Sequence, residues 1–576
     1  MTYLKHDPST FAALAVQSFA QVHADLVQPI DGGVARATRD CEDQVALVIG
    51  GGSGHYPAFA GLVGPGLAHG AVLGNIFASP SAGQVEGVAR AVEQGRGVLL
   101  SYGNYAGDRL QFDAAAARLE AAGTPVRTVR VTDDVSSAPP EEAEWRRGLA
   151  GDLVVFKVAG AAAARGDDLE TVHALAGRAN AVTRTLGVAL TGCTLPGAEA
   201  PLFTVPEGRM GVGLGIHGEP GLDEVDTPDP AGLAELLVSR LLAEAPGGRA
   251  RGSRVVALVN GLGAVKMDEL YVVWGEIRQA LETAGVEVAD VQVGEFCTSF
   301  EMAGMSLTLA WLDPELEELW RAPARSAEYQ VGQSDGGEIA VVRSERREET
   351  AAVPRHGEPD LPVASLASQG LAERVADVLR AVSDAVDAQM DELGRIDAIA
   401  GDGDHGIGMH NGARAAAASA AELAAAGAGA GTLLVRAGRA WSDGAGGTSG
   451  ALWDTMLATL GRQLGDQEGA DLSSLRQGIQ AAYEAVTRQG GAQVGDKTLV
   501  DALAPFARVF ADAEEPAQAV WRQAAAAAHE GAASTVGMMP GLGRARSHGE
   551  KARQVPDPGA VSFALVAETV AQRLGD

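Results

Sequence analysis

Residues 344–365 read SERREETAAVPRHGEPDLPVAS, a charged, proline-bearing stretch with little periodic apolar content. Such a segment has no face to bury. It reads as a linker, taken as 332–366, whose first part is equally readable as a last strand of the domain before it. The texture of the chain changes across it. Before it, short apolar runs at 45–49 (VALVI), 97–101 (GVLLS), 126–131 (VRTVRV), 153–158 (LVVFKV), 255–259 (VVALV) and 306–312 (SLTLAWL) predict buried strands. Helical patterns at 169–186 and 267–284 lie between some of them, which predicts an α/β domain over 1–331. After it, alanine-rich amphipathic stretches at 369–393, 409–425, 450–464, 472–488, 497–513, 516–533 and 560–573 predict an all-α domain over 367–576, with seven or eight helices.

The 576 residues fit two to four domains at roughly 150 residues each. Acidic residues outnumber basic ones 75 to 45, for a net charge of −30. That field repels nucleic acid and anionic membrane, so neither is an expected partner. A phosphorylated ligand stays compatible with it, because one bound metal ion reverses the local field. Three scattered cysteines, Cys41, Cys193 and Cys297, make neither a disulfide framework nor a zinc site. The start, MTYLKHDPSTFAALAVQSF, lacks the apolar core of a signal peptide, and no window holds 18 uninterrupted apolar residues. A cytoplasmic protein is the expectation.

The segment Arg395-Ile-Asp397-Ala-Ile-Ala-Gly-Asp402-Gly-Asp404-His405-Gly406 crowds three carboxylates into eight residues. Asp is a poor helix former and Gly lets the chain turn sharply, so this is a helix end running into a loop of oxygen ligands. Mg²⁺ takes such hard donors and completes its shell with water and phosphate. A Ca²⁺ loop is the competing metal reading, without EF-hand spacing, and an Asx-turn loop with solvated charges is the plain one. Further on, Gly444-Ala-Gly446-Gly447-Thr448-Ser449-Gly450 precedes an apolar helix and offers N–H groups and hydroxyls to an anion. Gly495-Asp496-Lys497-Thr498 and Asp557-Pro558-Gly559 also open helices and equally serve as simple N-caps. Arg544 suits a phosphate clamp, a stack on a base, or an exposed surface. Jointly these loops and the carboxylates point to Mg-nucleotide binding by helix ends.

Three constellations stand out earlier. Gly50-Gly-Gly52-Ser53-Gly54-His55 follows VALVI, where a glycine-rich turn permits close ligand approach without the G-x-G-x-x-G spacing of a dinucleotide site. Ser53 is not set in a nucleophile elbow. Asn104-Tyr105-Ala106-Gly107-Asp108 follows GVLLS, and Asp108 there serves either proton transfer or the N-cap of a helix starting near Leu110. In Gly211-Val-Gly213-Leu-Gly215-Ile-His217-Gly218-Glu219-Pro220-Gly221, His217 reads as base, ligand or nucleophile, or as a loop histidine with a structural hydrogen bond.

The motifs GGGSGH (50–55), NYAGD (104–108), GIHGEPG (215–221), GDGDHG (401–406), GGTSGALW (446–453), GDKT (495–498) and DPGA (557–560) together closely resemble the dihydroxyacetone kinase family. The resemblance covers almost the whole chain, in the domain order of the single-chain, ATP-dependent members. It implies an α/β ketose-binding domain followed by an all-α, eight-helix barrel that binds the nucleotide. It implies that His217 traps the ketone of a small ketose as a covalent hemiaminal. It also implies that His55 and Asp108 contact the substrate and move its protons, one of them deprotonating the terminal hydroxyl, while Gly52, Ser53 and Gly54 give backbone contacts. In the barrel it implies Asp397, Asp402 and Asp404 as ligands of Mg²⁺, with ATP as phosphoryl donor. The nucleotide-contacting positions implied are His405, Gly406, Ile407 and Gly408, then Thr448, Ser449 and Gly490, then Arg544, Asp557, Pro558 and Gly559.

Departures from the family pattern bear on the substrate. Tyr56 stands where Glu is usual, Gly103 where a substrate-contacting Lys is usual, and Gly74-Asn75 where Gly-Asp is usual. The run 543–549 (GRARSHG) departs from Gly-Arg-Ala-Ser-Tyr-Leu-Gly, and 131–137 (VTDDVSS) resembles the branch that phosphorylates erythrulose. Gly103 in place of Lys predicts room for an extra hydroxymethyl group. Alternatives are a carrier-protein-dependent dihydroxyacetone kinase, a non-catalytic sugar-binding regulator, and an FMN-cyclising lyase side activity. A homodimer is expected, with exchange of domains between chains as one arrangement of it.

Overall fold

The computed structural model describes residues 7–8, 10–38, 43–198, 200–248, 250–332, 361–401, 403–469, 471–514, 517–542 and 545–574. The predicted linker falls almost entirely outside them, as do Asp402, Arg544 and Cys41. Two compact units divide the chain, Met1–Glu349 and Thr350–Asp576.

The first unit contains two six-stranded sheets. Helix α1 (Phe11–Val22) leads into β1 (Val27–Ile30), β2 (Gly33–Arg36), β3 (Ala46–Gly52), β4 (Gly70–Gly74), α2 (Ala82–Val92), β5 (Val98–Gly103), α3 (Ala106–Ala121) and β6 (Val126–Val131). The first sheet runs β1-β2-β4-β3-β5-β6, with β4, β3, β5 and β6 parallel. Helices α4 (Asp152–Ala164) and α5 (Leu169–Ala181) precede β7 (Thr183–Ala189), β8 (Arg209–Val212) and β9 (Asp223–Asp226). Then come α6 (Pro230–Ala243), β10 (Arg254–Gly261), α7 (Met267–Ala284), β11 (Glu287–Gly294), β12 (Gly304–Ala310) and α8 (Pro314–Arg321). The second sheet runs β11-β10-β12-β7-β8-β9 and is antiparallel except between β10 and β11. One apolar cluster joins Leu47 and Ile49 of the first sheet to Val256 and Leu258 of the second through α4, α5 and α8. Further clusters cover the other face of each sheet, with α2 and α3 on the first and α6 and α7 on the second.

Two elements depart from the sequence expectation. The run 153–158 is not a strand but the middle of α4, in which every residue but the last is buried. A helix apolar all round has no periodic signature, so its pattern is the same as that of a buried strand. The Ala-rich continuation 159–164 carries the helix on, and Gly160 allows it close to the neighbouring loop, since a Cβ there would lie 2.6 Å from the Leu67 Cα. The predicted helix 169–186 stops at Ala181, and its last residues belong to β7.

The second unit is all-α among the described residues, with α9 (Leu366–Ala400), α10 (His405–Ala425), α11 (Ala430–Ala445), α12 (Gly447–Leu464), α13 (Leu472–Gly490), α14 (Val500–Ala511), α15 (Ala517–Ser534), the short α16 (Ala545–Ala552) and α17 (Pro558–Arg573). Each long helix packs on the next, α15 packs on α17, and α17 packs back on α9, so eight long helices close a ring. Helix α11 has no counterpart in the sequence reading. Its Gly431, Gly438 and Gly444 lower helix propensity, yet Cβ atoms on Gly431 and Gly444 would sit 2.7 Å from the Gly465 backbone and the Asn411 carbonyl. The glycines are there to let helices approach.

Candidate active site

Strands β3 and β5 are parallel neighbours, so the turns leaving their C-terminal ends share one edge of the first sheet. From β3 the chain enters a short 3₁₀ turn, Ser53–His55, held against the loop after β4: Gly54 N–H donates to the Ile76 carbonyl at 2.7 Å and Ser53 N–H to that of Asn75 at 3.3 Å. Glycine is required at 52, where a Cβ would lie 2.4 Å from the Ile76 oxygen. From β5 the chain enters α3, whose cap is Tyr105 rather than Asp108. Helix α3 starts four residues earlier than expected, so Asp108 sits buried in its first turn, where the N-terminal dipole favours a carboxylate.

The turn after β8 brings His217 to His55. Their Nε2 atoms are 2.9 Å apart. His55 Nδ1 lies 2.8 Å from the Thr298 carbonyl oxygen, so it donates there. His217 Nδ1 lies 3.0 Å from Glu219 Oε1. Phe77 stacks on His55 at 4.9 Å, while Phe77 and Tyr105 meet His217 edge-on at 5.1 and 4.8 Å. The Tyr105 hydroxyl donates to the Gly148 carbonyl at 3.0 Å, and burial pushes its phenol well up. Behind Glu219, Arg147 lies 3.7 Å from Oε2 and 2.8 Å from the buried Asp134. Burial alone would raise the Glu219 carboxyl; His217 and Arg147 overcome it and hold the group well below the ordinary range. Both Nδ1 atoms therefore carry hydrogens, which leaves the two Nε2 atoms facing each other. His55 is buried and His217 half-buried, and aromatic rings wall the pair.

Glycine at 103 packs against the ring of Tyr105. A Cβ there would meet the Tyr105 ring at 3.1 Å and the Gly148 Cα at 3.5 Å. Sequence reasoning gave Glu219 no role, although its place two residues after His217 was the available signal. Thr298 and Arg147 had none, since they reach the site only through the fold.

In the second unit the N-termini of α10, α12 and α17 converge. His405, first residue of α10, places Nε2 3.0 Å from Ser562 Oγ of α17, and its Nδ1 is 3.5 Å from Ser449 Oγ in the first turn of α12. Burial holds His405 below the usual imidazole range against the pull of Asp397. Thr448 is exposed in that turn of α12, and Gly490, which ends α13, lies near Leu452. Ile407 and Gly408 are half-buried in the first turn of α10. Gly406 is demanded by packing, because a Cβ would lie 2.1 Å from the Met390 oxygen of α9. Asp557 caps α17, accepting from Ala560 N–H at 2.7 Å, with Pro558 and Gly559 following. The loop 495–498 is held by Asp501, which accepts from the N–H groups of Gly495 and Thr498 at 2.6 and 2.8 Å. Lys497 adopts a left-handed φ of 59° and donates to the Thr535 and Val555 carbonyls, each at 2.7 Å.

Asp397 is buried at the end of α9 and its Oδ2 accepts from His405 N–H at 3.1 Å. Burial and then the Asp397 carboxylate push Asp404 up to about 7. Burial raises Asp557 to about 7 as well, against its bond from Ala560 and the Lys497 charge, with Asp397 adding to the rise. No group of three or more His, Cys, Asp or Glu side chains is gathered as metal ligands among the described residues, which exclude Asp402. A carboxylate raised by a neighbouring carboxylate is relieved by a divalent cation, so Asp397 and Asp404 fit Mg²⁺.

Residues 17–328 match the Dak1 domain and 399–572 the DAK2 domain. The chain belongs to the dihydroxyacetone kinase family. Within this family it is 52% identical over 575 residues to the L-erythrulose kinase of Pectobacterium atrosepticum, covering 99% of this chain and 96% of that one. It is 48% identical over 577 residues to the D-erythrulose kinase of Mycolicibacterium smegmatis, covering 99% and 98%. Among solved structures, the dihydroxyacetone kinase from C. freundii in complex with AMP-PNP and Mg²⁺ is similar at 28% identity and a TM-score of 0.52, with 99% of each chain covered. No helix among the described residues is long and apolar enough to cross a membrane.

Proposed function

We propose that the chain is an ATP-dependent kinase that phosphorylates a terminal hydroxyl of a small ketose, erythrulose or dihydroxyacetone. The observation that carries this reading is the His55–His217 pair, whose Nε2 atoms lie 2.9 Å apart while acceptors hold both Nδ1 atoms. A ketone carbon placed against His217 Nε2 is open to addition there, and the hemiaminal then fixes the hydroxyl to be phosphorylated. Polyols lack the carbonyl and are not trapped. Gly52, Ser53 and Gly54 line the approach, and Asp108 or His55 takes the hydroxyl proton. In this assignment 1–331 binds the ketose, 332–366 links, and 367–576 binds the nucleotide at the three converging helix N-termini, with Arg544 as a further contact. Asp397, Asp402 and Asp404 would hold Mg²⁺, which supplies charge neutralisation to the transferring phosphoryl group.

Erythrulose is the favoured substrate, supported by relatives at 52% and 48% identity named for its L and D forms. Purified enzyme with Mg-ATP alone should release ADP with erythrulose, and kcat/KM should exceed that for dihydroxyacetone. No turnover without a phosphoryl carrier protein overturns the ATP-dependent reading, and a large preference for dihydroxyacetone overturns the tetrulose one. A cytoplasmic homodimer belongs to the same proposal; a light-scattering mass of one chain overturns the dimer.

A further inference from the structure

Glu219 lies two residues beyond His217, and both its carboxylate oxygens turn back on that histidine. Oε1 is 3.0 Å from His217 Nδ1, and Oε2 accepts from the His217 backbone N–H at 2.9 Å. The turn is shaped for this contact, since a Cβ on Gly215 would lie 2.1 Å from Oε2. Arg147, anchored on Asp134, stands behind the carboxylate. An acceptor that grips ring and backbone together leaves the imidazole one tautomer and one orientation.

We propose that Glu219 is the positioning residue that makes His217 Nε2 the trapping atom and stabilises the cationic ring that trapping creates. The inference rests on the covalent reading of His217 given above. In the step, the Nε2 lone pair forms the bond to the ketone carbon while the C=O π pair moves onto oxygen. A proton on His55 Nε2 passes to that oxygen and makes a hydroxyl. His55 ends neutral. The His217 ring, with carbon on Nε2 and hydrogen on Nδ1, takes the positive charge. The positive charge thus moves from the His55 ring to the ring whose N–H faces Glu219. A carboxylate there favours the adduct over the free pair.

The test uses the full chain and erythrulose labelled with carbon-13 at its carbonyl, whose resonance leaves the ketone region when the adduct forms. Glu219→Gln should lower the ratio of adduct to free ketose roughly ten- to hundredfold. Nitrogen-15 shifts of His217 should change from a single tautomer with hydrogen on Nδ1 to a mixture. Glu219→Asp, which keeps the charge, should recover much of the adduct and the single tautomer. A wild-type adduct ratio and tautomer in Glu219→Gln overturn the proposal. Equal loss in the Gln and Asp variants, with native near-UV circular dichroism, overturns the role of charge. Absence of an adduct in the wild type instead overturns the covalent reading itself, and is seen without any variant.

Discussion

His55 and His217, 162 residues apart, face each other through their Nε2 atoms at 2.9 Å, while Thr298 and Glu219 occupy their Nδ1 atoms. Each ring is thereby oriented by an acceptor on its far side, and the near nitrogens face each other. A pair so arranged presents one nucleophilic nitrogen and one acid to whatever enters between them.

Removing the nucleophile should separate trapping from nucleotide binding. His217→Ala is expected to lower kcat/KM for ketoses by about a thousandfold or more and to leave Mg-ATP affinity unchanged. Steady-state kinetics with calorimetric ATP titration check both. Unchanged ketose turnover in this variant removes the covalent trap from the mechanism.

The carboxylates of the second unit should matter to the nucleotide and not to the ketose. Asp402→Asn is expected to weaken Mg-ATP binding by about tenfold or more while ketose binding stays within twofold of wild type. Asp397→Asn should do more harm, because its Oδ2 also holds the first N–H of α10 through His405. A Mg²⁺ titration at fixed nucleotide distinguishes them.

Lys157 gives a pH signature in stability. It lies inside α4 with its ammonium donating to the Leu319 carbonyl at 2.7 Å, and burial pushes it down to about 7 from 10.5. Between those values the unfolded chain holds the proton that the folded one has lost. The folded state therefore gains stability as pH rises from about 7 to about 10, by at most about 1.4 kcal/mol per pH unit. Below pH 7 the buried charge costs the fold its full amount. Lys157→Met removes this dependence, so the stability of wild type relative to the variant should climb over that window in urea melts. A flat difference shows the lysine stays charged throughout.

Gly103→Lys tests the substrate side. A Cβ at 103 meets Tyr105, and Tyr105 lies edge-on to His217, so the added side chain must displace that ring. The expected outcome is a loss of kcat/KM for erythrulose at least tenfold larger than for dihydroxyacetone. Equal losses assign substrate choice to other residues.

Much of the architecture was legible because local pattern and tertiary role agree. Helix α7 was read to its exact ends, since its apolar positions keep helical spacing and Gly285 closes it at φ 74°. Where burial is uniform, as along α4, the pattern is silent on period. Where glycines serve helix contacts, as in α11, propensity points the wrong way. The turns holding His55, His217 and Asp108 were recognisable one at a time from glycine next to chemistry-bearing side chains. That His55 meets His217 depends on how two sheets share a core, and no local pattern carries that.

The ring of eight long helices has an arithmetic consequence. An open solenoid tolerates gain or loss of a repeat at its ends, because each unit leans only on its neighbours. A closed ring has no ends. Removing one helix would leave its two neighbours facing across a gap, and adding one would force every interface to a new angle. Descendants of this sequence can therefore lengthen loops and recolour surfaces, but the number of staves in the cask is held constant.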